Sequence, residues 1–152
     1  MSNRTTIFAA SLAALLGSTA PAAWAGTTEL VSVGAAGQQA NDNSFDATLS
    51  GDGRYVAFQS LATNLSSDQS GDHLYVRDRV AHTTTVVDVS TGGQPGNGYG
   101  LLPHISRDGS HVAFFSKATN LVPGDTNNAG DVFERDLKTG TTVRVSVKSN
   151  GA

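Results

Sequence analysis

The sequence predicts an all-β fold of tandem four-stranded antiparallel units, and three observations carry that prediction. One segment recurs in register, its apolar residues alternate in short runs, and turn-forming residues separate the runs. Ser50-Gly51-Asp52-Gly53-Arg54-Tyr55-Val56-Ala57-Phe58 returns 56 residues later as Ser106-Arg107-Asp108-Gly109-Ser110-His111-Val112-Ala113-Phe114. Ser60-Leu61-Ala62-Thr63-Asn64-Leu65 matches Ser116-Lys117-Ala118-Thr119-Asn120-Leu121 at the same offset. Tyr75-Val76-Arg77-Asp78 matches Phe133-Glu134-Arg135-Asp136 at 58, so a two-residue insertion lies in the loop between. Val31-Ser32-Val33, Val87-Asp88-Val89 and Val145-Ser146-Val147 continue the register, giving three copies of one part and two of the rest.

Each unit divides into four strands. The first, around Asp46 to Leu49 and His104 to Ile105, enters an Asp-Gly turn at Asp52-Gly53 or Asp108-Gly109, where Gly adopts positive φ at little steric cost. The second, Tyr55 to Gln59 and His111 to Phe115, carries apolar groups on both faces in the first copy, which suits a central strand packed between layers. The third, Leu74 to Arg77 and Val132 to Arg135, ends in a turn at Asp78 or Asp136. The fourth, Thr85 to Val89 and Thr142 to Val147, alternates Val with polar residues and so presents one buried and one more exposed face.

Such units in tandem at this period point to β-propeller blades. The motif Ser-x-Asp-Gly-x-x-Val-Ala-Phe-x-Ser, with Pro103 three residues before Ser106, resembles the TolB-like β-propeller repeat, a relative of the WD-type repeats, over roughly residues 28–150. The resemblance implies a binding platform, a periplasmic assembly component or the non-catalytic part of a larger enzyme. Ala47 stands where the second copy has Pro103, and no Trp-Asp pair follows residue 25, so the resemblance implies no particular partner.

Residues 1–25 read as a secretory signal peptide: Arg4, an apolar run from Ile7 to Leu16, and the small-residue pattern Ala23-Trp24-Ala25, with cleavage expected after Ala25. Residues 26–152 then form a partial propeller, with a lone outer strand at 28–33, blade one at about 45–90, blade two at about 101–147 and a connector at 148–152. Propeller rings have four to eight blades. Two readings follow: the sequence is a segment of a longer propeller, or several chains associate as a homo-oligomer that completes it.

Composition narrows the function classes. The 152 residues carry a formal charge of -3 with no block of like charge, which disfavours a nucleic-acid partner. The apolar run at the N-terminus is too short to span a bilayer, and the absence of Cys excludes disulfides and a lipid-modified cysteine. A periplasmic or extracellular location is expected.

The best chemical candidate is the loop from Gly124 to Asp131, where Asp125, Asn127 and Asp131 offer hard oxygens that calcium accepts. The alternative is an Asx-rich connector whose side chains bond their own backbone. Asp52 and Asp108 read as turn residues rather than a catalytic pair, and His73, His82, His104 and His111 lack a shared metal-ligand spacing. Arg77-Asp78 and Arg135-Asp136 read as ion pairs or turn caps. With no nucleophile elbow, phosphate loop or zinc motif in the sequence, no catalytic residue is assigned and no cofactor other than calcium is considered. The expected function is that of an exported, non-catalytic platform for a protein or glycan partner. The competing readings are the propeller segment of a larger secreted hydrolase and a calcium-stabilised structural repeat.

Overall fold

A computed structural model of the chain describes residues 28–66 and 72–148. The expected leader and the last four residues of the expected connector lie outside the described residues. Among the described residues eight strands form two four-stranded antiparallel sheets. The first contains β1 (Ser44–Leu49), β2 (Tyr55–Ser60), β3 (His73–Asp78) and β4 (Thr83–Val86) in that order; the second contains β5 (Gly100–Ile105), β6 (His111–Ser116), β7 (Asp131–Asp136) and β8 (Thr141–Arg144). The expected outer strand at 28–33 joins neither ladder. Its pairing is the isolated bridge Val33↔Gln39, repeated 56 residues on as Val89↔Pro95 near its partner turn.

The Ser-x-Asp-Gly repeat is a self-contained turn. Ser50 Oγ donates to Asp52 Oδ1 (2.6 Å) and accepts from the Tyr55 amide, while the Arg54 amide donates to Asp52 Oδ1. Ser106, Asp108, Ser110 and His111 repeat the arrangement. Gly109 has φ +70°, and a Cβ there would lie 2.4 Å from Tyr55 Cδ2, so this turn also seats the second unit against the first. Gly109→Ala is expected to destabilise by about 1–3 kcal/mol, from backbone strain and overpacking together. Denaturant titration against Gly93→Ala, which has φ +81° but open space around it, separates the two contributions.

Two features shift strand boundaries from the pattern in the sequence. β1 and β5 each contain a bulge, with Asp46 and the equivalent Leu102 in the left-handed region (φ 51° and 54°), and the face presented by the strand changes there. Ladder pairing therefore extends upstream to Ser44 and Gly100, beyond where simple alternation stops. The fourth strands end early because a side chain takes over the ladder: the Leu74 amide donates to Asp88 Oδ1, and the Val132 amide donates to Ser146 Oγ.

The main core lies between the sheets. Ala57, Leu74, Val76 and Val87 of the first unit pack with Val112, Phe114, Ala118, Leu121 and Phe133 of the second. Phe114 and Phe133 stack with ring centroids 5.9 Å apart, and the equivalent Phe58 and Tyr75 stack at 5.7 Å in a smaller cluster on the far side of the first sheet. Among the described residues, equivalent positions on the outward side of the second sheet have no such cover. Leu74, Val87 and Val89 are 0%, 0% and 7% exposed, whereas their counterparts Val132, Val145 and Val147 are 39%, 45% and 42% exposed.

Candidate functional site

The recurring Ala-Thr-Asn triplet is a staple between a connector and the loop after the second strand. Asn64 Oδ1 accepts from the Asn41 amide and its Nδ2 donates to Gln39 O; Asn41 Oδ1 accepts from the Thr63 amide. Asn97, Thr119 and Asn120 repeat each bond. Arg77 and Arg135 form a second repeated clasp. Arg135 Nη1 donates to Ser90 O (3.1 Å) and Thr142 Oγ1 (3.0 Å), and Thr142 Oγ1 donates to Val89 O. Arg77 reaches Thr84 Oγ1 and Gly34 O in the same way. Burial holds the Arg135 guanidinium below its ordinary pKa. A groove of about 530 Å³ runs beside this clasp, lined by Thr84, Val86, Val89, Gln94, Pro95 and Arg135.

Each Arg-Asp pair in the sequence divides its work. Asp78 and Asp136 turn away from the clasp and cap the hairpin that follows, accepting from the amides of Val80 and Ala81, or of Lys138 and Thr139. Asp78 also receives Arg54 through both Nε and Nη2 (2.7 Å to Oδ2). That bond, with help from the Ala81 and Val80 amides, lowers Asp78 to about 2. Asp52, Asp108, Asp131 and Asp136 are lowered too, mainly by hydrogen bonds from serines or backbone amides.

The three expected calcium ligands do come together, around Arg144. Its Nη1 donates to Asp125 Oδ1 (3.1 Å) and lies 3.5 Å from Asp131 Oδ2. Asn127 Nδ2 donates to Asp131 Oδ2, Asn127 Oδ1 accepts from the Ala129 amide, and Ser146 Oγ donates to Asp131 Oδ1. A guanidinium thus holds the position between the carboxylates that a cation would take, and the second oxygen of Asp125 is buried without a hydrogen-bond partner. The sequence does carry a sign of Arg144, since it replaces Val86 at offset 58, between the matching pairs Thr84/Thr142 and Val87/Val145. Among the described residues no group of three or more His, Asp or Glu is placed to hold a metal ion.

Asp131 and Ser146 occupy the positions of His73 and Asp88 in the first unit. There the His73 ring nitrogen Nδ1 lies 2.9 Å from Asp88 Oδ2, with Asp88 fully buried. The Asp88 hydrogen bond raises the His73 pKa above its ordinary 6.5. A raised histidine contributes stability fully below pH 6.5 and loses it as pH rises through its folded-state value. Melting scans from about pH 6 to about pH 9 are expected to show this loss. His73→Gln removes that pH dependence if the pair is its source. At the acid end the sign reverses: the contribution of Asp78 is complete above 3.8 and lost as pH falls toward about 2, and Arg54→Ala, which removes the main cause of the lowering, is expected to shrink that acid loss.

Of the other histidines, His82 sits at φ 57° in a turn where the second unit has Gly140, and His111 Nδ1 lies 3.7 Å from Glu134 Oε1. The four histidines do not form a cluster, and Asp52 and Asp108 serve their own turns.

No protein family's sequence profile matches the chain. No curated protein matches it in sequence either. Among solved structures the chain is similar to one described as "putative TolB from Agrobacterium tumefaciens", at 18% identity and a TM-score of 0.43, over 68% of this chain and 33% of that one. The chain spans about a third of that structure's length. The class defined by the fold itself is all-β, with two four-stranded antiparallel sheets among the described residues. No helix among the described residues is long and apolar enough to cross a membrane.

Proposed function

We propose that the chain is an exported, non-catalytic platform of β-propeller type that holds a protein or glycan partner against the outward side of its second sheet. One observation carries this reading: Val132, Val145 and Val147 face solvent in register with first-unit residues that are buried against another sheet. A row of apolar side chains at positions built for sheet packing is a surface made to be covered. The polar residues singled out in the sequence support the same reading, since Asp52, Asp78, Asp108, Asp136, Arg77 and Arg135 are each engaged in turns, caps or clasps.

The test is site-specific photo-crosslinking in the exporting cell. A photoreactive residue at Val132 is expected to capture a partner, while one at Val80, 58% exposed on the β3–β4 turn, captures none. No adduct at Val132, or equal adducts at both positions, would overturn the platform reading. Intact mass of the exported product checks the export component, with Gly26 as the expected first residue.

A further inference from the structure

We propose that a second copy of this chain docks head to tail, seating its β1 on the outward face of the second sheet as β5 is seated on the first sheet. This rests on the platform reading and names the partner. Inside the chain, β5 and the inner face of the second sheet cover Ala57, Leu74, Val76 and Val87. The two surfaces left over are the complementary halves of that same interface. At the head, Leu30, Phe45 and Leu49 are exposed (50%, 44% and 59%), although Pro103 and Ile105 of the equivalent β5 are buried or half-buried. At the tail, Val132, Val145 and Val147 are exposed where Leu74, Val87 and Val89 are covered.

Residue changes between the two units match across the proposed contact. Gly100 approaches so closely that a Cβ would lie 2.9 Å from Leu74 Cδ1 and 3.4 Å from Asp88 Oδ2. At the head its place is taken by the larger Ser44, and the residues it would meet at the tail are the smaller Val132 and Ser146. Charge follows the same logic. Leu137 packs beside Val76 and Tyr55 within the chain; their counterparts are Arg79 at the head and Glu134 with His111 at the tail. Docking brings the Arg79 guanidinium, which also binds Glu29, alongside Glu134. Arg107 stands where Gly51 makes a close approach, so that rim of the contact sits slightly further out.

A head-to-tail contact is heterologous, and it closes into a ring when the rotation between units allows. At two units per chain, rings of about four to eight units contain about two to four chains. Light scattering of the purified chain should therefore give a mass of two to four chains. Val132→Lys and Leu49→Lys alter exposed side chains at opposite ends, and each is expected to reduce the assembly to single chains that still melt cooperatively, at the temperature of wild type diluted until it dissociates. Mixing the two variants restores one intact interface per pair and is expected to give a dimer of one of each.

A wild-type monomer at about 100 µM, or either single variant assembling as wild type does, overturns the proposal. A Val132 photo-adduct with a different protein overturns self-docking and leaves the platform reading standing. No adduct at all removes both.

Discussion

Phe133→Ala is expected to cost about 3–5 kcal/mol, because it deletes a ring at the centre of the interface between the two sheets. Phe133 is fully buried, stacks on Phe114, and packs with Leu74 and Val76 of the other sheet. The cavity it leaves is bounded by β-strands whose ladders restrict collapse, so the larger part of that range applies. Equilibrium denaturation measures it directly. A sharper comparison uses one repeat position twice: Leu74→Ala is expected to cost about 2–5 kcal/mol, whereas Val132→Ala at the equivalent exposed site stays within about 0.5 kcal/mol in the unassembled chain. Equal costs at the two positions would contradict the burial pattern.

Arg144→Met is expected to cost about 3–5 kcal/mol, since it strands the Asp125 carboxylate, whose side chain is 1% exposed and already has one oxygen without a partner. Asp131 suffers less, because Asn127 and Ser146 still donate to it. Removing both charges in Asp125→Leu/Arg144→Met is expected to recover most of the loss, which separates an uncompensated charge from a general packing defect. Calcium is expected to leave the melting temperature of the wild-type chain unchanged, because the guanidinium holds the place between the carboxylates. A calcium-dependent rise in melting temperature would instead support the metal reading of Asp125, Asn127 and Asp131.

Much of the site's polar architecture was visible as repetition without its purpose. Ala-Thr-Asn at 62–64 and 118–120 stood out as a match, yet its bonds run to Gln39, Asn41, Pro95 and Asn97, more than twenty residues away. No local rule links an asparagine to a carbonyl at that distance. The Arg77 and Arg135 clasps are hidden for the same reason, as their acceptors are main-chain oxygens of a preceding connector. The Asp-Gly turns were legible because every bond in them closes within five residues.

The sequence alone determined the two units, their four strands and their turns, because alternation and turn chemistry act over a few residues and the register repeats them. It also placed Asp125, Asn127 and Asp131 in one loop. Tertiary structure decided which copy of an equivalent face is covered, and which cation meets those carboxylates. Leu74 and Val132 occupy the same position in the same kind of strand, and Val86 and Arg144 likewise. What differs is the neighbour: a second sheet lies over Leu74, while solvent lies over Val132, and burial depends on that neighbour rather than on the strand that carries the residue.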